Sequence, residues 1–182
     1  MPLLLTSLFA PQGGFPTPTP PPVFEIVGEP NASGTCGATR AFEANAAFAQ
    51  RYLAGHDGKV VSLFAYFSGT AAANFRIGLY ANDSGQPGAL MAQTPGGPVA
   101  QVVGWQEFVL TEADHVDVVS SDHYWIVAQS DTSKSSCSPT SVANLARRFK
   151  SAAYSTGLPD PFGTSSTYNN TRGLRMKIWT NP

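Results

Sequence analysis

Residues 59–68 read KVVSLFAYFS, and residues 75–90 read FRIGLYANDSGQPGAL. Successive residues of a strand face opposite sides. In the first run Val61 and Leu63 therefore share one face, and Phe64 and Tyr66 share the other. Both faces are apolar, which predicts a strand at the centre of a sheet. In the second run Phe75, Ile77 and Leu79 alternate with Arg76, Gly78 and Tyr80. That run ends in the turn cluster Asn82–Gly88, whose Asn, Asp, Ser and Gly suit tight reversals.

The same reading extends in both directions. Phe48–Ala54 predicts a strand that reaches a turn at Gly55-His-Asp-Gly58. Ala89–Thr94, Val99–Val103, Trp105–Leu110, Tyr124–Gln129, Arg148–Tyr154 and Leu174–Thr180 predict further strands, with the breaker Pro95-Gly-Gly-Pro98 between two of them. Turn signals recur every 8–12 residues or so, the spacing of a sandwich or barrel. Two stretches, Ala41–Leu53 and Ser141–Phe149, partly fit a helical period. One short helix is expected at most, at the second of them. The expected fold is an all-β, jelly-roll-like antiparallel β-sandwich of about 8–9 strands over residues 31–182.

Residues 1–30 read differently. Met1–Ala10 is apolar and has no Lys or Arg before it, which argues against a signal peptide. Phe15–Pro22 reads FPTPTPPP, and five of the fifteen prolines fall between Pro16 and Pro22. Fixed φ and missing N–H donors make such a run polyproline II. The first charged residue is Glu25. The segment is thus an uncharged, extended arm. Leu3, Leu4, Leu5, Leu8, Phe9 and Phe15 are its candidates for docking on a partner.

Composition narrows the function. Charged residues make up 13% of the 182 and the net charge is −1, against about 25% charged in a typical soluble protein. No basic field exists for nucleic acid, and no apolar run approaches the ~20 residues of a membrane span. A charge-poor surface favours association. Charge is also segregated: Glu107–Asp131 holds six acids and no Lys or Arg, whereas Lys134–Pro182 holds seven bases and one acid. These blocks either neutralise each other within one sandwich or set contacts between subunits.

No catalytic constellation stands out. The nucleophile elbow, the zinc-protease helix, the P-loop and the dinucleotide fingerprint are all absent. Asp114-His115 and Asp122-His123 are sequence neighbours, which point to opposite faces of a strand and make no dyad. No cofactor or metal site is expected; Asn82-Asp83-Ser84-Gly85 reads as a turn, not a calcium loop. Cys36 and Cys137 lie in Ser/Gly/Thr-rich stretches. They are either two loop thiols or a disulfide closing a loop of about 100 residues. Leu158–Thr171 is a long polar loop, and its Asp160, Phe162, Tyr168, Asn169 and Asn170 are candidates for a glycan surface. Alternatively, Phe162 plugs the end of the sandwich.

The runs Ala49-Gln-Arg-Tyr52, Lys59–Phe67, Phe75-Arg-Ile-Gly-Leu-Tyr80 and Asn82–Leu90, with Trp105 and Tyr124-Trp125-Ile126, resemble a family of jelly-roll-like β-sandwich modules. Its hallmark is a leucine–tyrosine, acidic turn, glycine–x–proline–glycine hairpin. The resemblance spans roughly residues 45–180. Such modules occur on bacterial surface and secreted proteins and in structural proteins of tailed-phage particles, and most are not enzymes. It implies a non-enzymatic virion protein, either a capsid decoration or a fibre protein. The arm would dock on other virion proteins, and the chain would form a homo-oligomer, with a trimer the expected form. The alternative is a carbohydrate-binding or receptor-binding module that is extracellular or on a cell surface.

Overall fold

The computed structural model describes residues 20–28, 38–138 and 145–182. In chain order the strands are β1 (Phe24–Gly28), β2 (Ala38–Phe42), β3 (Ala46–Leu53), β4 (Gly58–Phe67), β5 (Asn74–Asp83), β6 (Gln86–Gln93) and β7 (Gly97–Pro98). They continue as β8 (Gly104–Val109), β9 (Val116–Val118), β10 (His123–Ser130), β11 (Lys134–Ser138), β12 (Arg147–Ser151), β13 (Ser166–Thr167) and β14 (Leu174–Trp179).

Strand β4 is central, as its two apolar faces predict. It pairs with β14 on one edge, with β8 and β9 on the other, and with β11 at its end. This sheet runs β1-β14-β4-β11-β2, with β8 and β9 attached to β4. The second sheet runs β13-β12-β3-β10-β5-β6, with β7 attached to β5. All of these strand pairs are antiparallel. The chain passes repeatedly between the sheets, as in a jelly-roll-like sandwich. The main core lies between them: Leu63, Ala65, Leu174, Met176 and Ile178 from the first sheet meet Phe75, Ile77, Leu79, Ile126 and Ala128 from the second. Hairpin β5–β6 turns at Ser84-Gly85, whose φ values of 50° and 81° are the two positive angles a type I′ turn requires.

The structure departs from or refines the sequence reading at several points. There are more strands than expected, because short edge pieces such as β7, β9 and β13 join the sheets. Among the described residues there is no α-helix; Arg147 onward is strand β12, paired with β3, while residues 141–144 lie outside the described residues. Val99–Val103 is not a strand. Val99 is buried, and the Gln106 side chain then clasps the chain, accepting from Ala100 N–H at 3.1 Å and donating to Ala100 O at 2.8 Å. Strand β1 falls within the segment read as the arm, yet it pairs with β14 from Phe24↔Trp179 to Gly28↔Arg175. Residues 1–19, with the six docking candidates, lie outside the described residues, as does Cys36. The side chain of Cys137 is likewise not described.

The crossover into β14 is fixed by a buried polar cluster. Arg172 is 1% exposed, and its N–H donates to Gln50 Oε1 at 2.5 Å while Gln50 Nε2 donates to Arg172 O at 2.8 Å. The guanidinium donates to Ala41 O and lies 3.6 Å from the Phe48 ring centroid. This one side chain ties β2, β3 and the start of β14 together. Burial pulls its pKa down, opposed by the Tyr168 hydrogen bond.

Replacing Leu63, fully buried on β4, by Ala is expected to cost about 2–5 kcal/mol in urea unfolding. A second expectation concerns acid. Burial pushes the Asp131 pKa up, but hydrogen bonds from Asn74 and Thr132 outweigh it and hold it below its ordinary value. A carboxylate lowered in the fold stabilises above its unfolded pKa, and that stability is lost as pH falls through the folded one. Wild-type unfolding free energy should therefore drop more steeply below about pH 5 than that of Asp131→Asn; equal slopes would contradict the assignment.

Candidate functional site

The two sheets differ in what covers their outer faces. On the second sheet, Ala47, Ala49, Tyr80, Trp125 and Val127 form a small second core with Leu158 and Phe162. The segment 158–162 seals that face. Tyr80 Oη donates to Pro159 O at 2.7 Å, Phe162 N–H donates to Gly88 O at 3.0 Å, and Lys150 Nζ donates to Phe162 O at 2.6 Å. Phe162 meets Tyr80 edge-to-face with ring centroids 5.7 Å apart. Burial, with Asp160 nearby, pushes the Tyr80 pKa well up.

This placement bears directly on the five loop residues proposed for a glycan. Phe162 is fully buried, so its ring offers no face to a sugar; it is the plug. Tyr168 is half-buried between Phe48 and Phe149, and its hydroxyl accepts from Arg172 and Asn170. Those hydrogen bonds outweigh the effect of burial and lower its pKa. Asp160 is exposed and accepts from Leu90 N–H at 3.0 Å. Asn169 is exposed beside them. The loop does form one polar cleft, of about 490 Å³, where Pro161, Gly163, Thr164 and Ser165 face Asp83, Gln86 and Pro87 of the β5–β6 hairpin. At the tip of that hairpin, Asn82 Oδ1 accepts from the Trp125 indole N–H at 3.0 Å.

The first sheet is built the other way. On β14, inward Leu174, Met176 and Ile178 send Arg175, Lys177 and Trp179 outward. On β8, Phe108 packs against the core, so Trp105, Glu107 and Val109 face out. On β1 the outward residues are Phe24 and Ile26, 44% and 49% exposed. Strand β4 carries an extra residue here: the register passes from Lys177↔Ser62 to Ile178↔Val60. That bulge leaves Val61 without a matched residue on β14 and bends β4 locally.

The result is an open groove of about 920 Å³ on the outer face. Phe24, Trp179, Val61 and Val109 line it, with Pro20, Pro22, His115 and Asn181 around the rim. Val109 is 68% exposed. The polar groups inside are mutually satisfied. Ser62 Oγ donates to Glu107 Oε1 at 2.7 Å, and Lys177 Nζ reaches the same oxygen at 3.4 Å. The ammonium also lies 4.6 Å from the Phe24 ring centroid, a cation–π distance. Asn181 ties the rim to the sheet: its Oδ1 accepts from Val23 N–H at 2.5 Å and from the Trp179 indole at 3.1 Å, and its Nδ2 donates to Pro21 O at 3.2 Å.

The segregated charges meet only in part. Lys177 of the basic end pairs with Glu107 of the acidic stretch, and Lys59 pairs with Asp117 at 2.9 Å. Other bases lie against rings: Arg76 on Tyr154, Arg175 on Trp105, Arg172 on Phe48. His56 and His123 are exposed in turns or at a strand end, and His115 sits at the groove rim. Sequence reasoning missed the groove because it treated Pro20–Phe24 as arm. The alternation Phe24, Ile26 against Glu25, Val27 was the available signal.

Phe162→Ala is expected to destabilise the fold by about 3–5 kcal/mol in thermal or urea unfolding. A folding free energy unchanged by that substitution would contradict its role as plug. No protein-family model matches this chain, and no curated protein matches it.

Proposed function

We propose that the protein is a non-enzymatic structural subunit of a phage particle, a capsid-decoration or fibre protein docked through its N-terminal arm with the sandwich displayed outward. The observation that carries this reading is apolar surface at the root of the arm that no described residue covers. Phe24 and Val109, 44% and 68% exposed, lie with Pro20, Pro22 and Trp179 in one groove, and Ile26, 49% exposed, follows Phe24 on the outer face of β1. Contiguous apolar surface of this kind marks interaction sites. Among the described residues strand β1 is also a sheet edge, and edge strands with apolar side chains need cover. The resemblance to tailed-phage modules supplies the setting. Partners are other particle proteins and further copies of the chain.

A second reading, glycan or receptor binding, rests on the cleft between Asp83 and Ser165. The Ser165 hydroxyl there is buried and has no hydrogen-bond partner among the described residues. A glycan array on the intact protein, repeated with Asp83→Ala, tests it; signal lost in the variant supports it.

Deleting residues 2–19 tests the main reading. The truncated chain is expected to keep its thermal unfolding transition, since Pro21, Val23 and Asn181 remain linked, yet to be missing from purified particles by immunoblot. Truncated protein present in particles at the wild-type level would overturn it.

A further inference from the structure

We propose that the groove on the outer face of the first sheet receives residues 1–19 of a second copy of this chain, so that copies are joined by their arms. This rests on the docking reading above and names the receptor of the arm.

The first argument is where the described chain begins. Pro20 and Pro22 are themselves part of the groove rim, held there by Asn181 through Val23 N–H and Pro21 O. The nineteen residues that precede Pro20 in the sequence thus join the described chain at the groove edge; an extended run of that length, at about 3.1 Å per residue, spans up to roughly 60 Å, enough to cross to a neighbour. Prolines at 16, 18, 20, 21 and 22 make this stretch of sequence stiff over several residues. Stiffness favours carrying the segment away from its own rim over a tight reversal across its own sheet.

The second argument is chemical fit. Residues 1–19 have no charged side chain and include Leu3, Leu4, Leu5, Leu8, Phe9 and Phe15. The groove floor is Phe24, Val61, Val109 and Trp179. Among the described residues its lysine and its glutamate, Lys177 and Glu107, pair with each other, and His115 stands at the rim. A charged partner gains nothing from such a surface, whereas an uncharged, leucine-rich and proline-rich segment matches it. Extended proline-rich chains dock on aromatic-lined grooves by this same chemistry. An arm passed from one copy to the next is a heterologous contact, which closes into a ring when the rotation allows.

The test uses the full chain. Light scattering across a concentration series is expected to give a multiple of the 19.2 kDa chain mass. Val109→Glu, at an exposed position that leaves the core untouched, should return the mass to that of one chain with an unchanged circular-dichroism melt. Independently, p-benzoylphenylalanine in place of Phe9 is photolysed in an equal mixture of isotopically heavy and light chains. Crosslinks should join position 9 of one label to groove peptides carrying Val109 or Trp179 of the other. The proposal is overturned by a single-chain mass throughout the series, by wild-type mass in Val109→Glu, or by crosslinks confined to one label. Failure here with truncated chains still missing from particles would place the arm's receptor on another particle protein. Truncated chains found in particles would instead remove the docking reading itself.

Discussion

The whole arrangement turns on β4, a strand apolar on both faces that hydrogen-bonds along both of its edges. Its inward residues Val60, Leu63, Ala65 and Phe67 are fully buried and anchor the core between the sheets. Its edges carry β14 on one side and β8 and β9 on the other, so its register dictates which residues of those strands face out. Pairing β4 with β14 across the bulge at Val61 places Lys177 opposite Ser62 and Trp179 opposite Lys59, one on each side of Val61. Pairing it with β8 places Glu107 and Val109 on the same surface. The groove floor is thus a consequence of the sheet's hydrogen-bond register, and the segments beside it supply the rim.

The two sheets solve the same problem differently. A sheet with apolar residues on both faces needs cover on both. The second sheet is closed by its own chain, through Leu158, Phe162 and the hydrogen bonds of Tyr80 and Lys150. The first sheet has Phe24, Ile26, Val109 and Trp179 outward, and among the described residues Pro20, Pro22, His115 and Asn181 stand at the rim without closing the groove. Burying such side chains is worth about 1.5–3 kcal/mol each when complete, so an uncovered groove of this kind is a strong acceptor for apolar chain. The low charge content acts in the same direction. Several cations lie against aromatic rings, and Lys177 and Glu107 in the groove pair with each other.

Much of the fold was legible in the sequence because period-2 alternation and turn chemistry are local. The run Val61–Tyr66 marked the central strand, and Asn82–Gly88 marked a hairpin whose turn needs two positive φ angles. What failed was also local in origin. Val99–Val103 has strand-like composition, but its conformation is set by the Gln106 side chain, a contact that alternation does not encode. Short strands such as β7 and β9 form because a long neighbour, β5 or β4, offers an edge, not because their own residues demand it. The candidate site was less legible. Phe162 and Tyr168 stood out as aromatics in a polar loop, yet both are packing residues, and whether a loop aromatic points in or out is a tertiary property. The groove draws on β1, β4, β8 and β14, which are distant in sequence, so only the pairing register brings Phe24, Val61, Val109 and Trp179 together.

The central claim is that this outer face is a covered surface in the working protein and that residues 1–19 take part in covering it. Hydroxyl-radical footprinting read by mass spectrometry, comparing the full chain with one lacking residues 2–19, measures that cover at individual side chains. The account predicts that Phe24, Val109 and Trp179 are protected in the full chain and become reactive in the truncated one, while exposed Leu53 and Val119 on other surfaces stay unchanged. Equal reactivity of Phe24, Val109 and Trp179 in the two chains would contradict it.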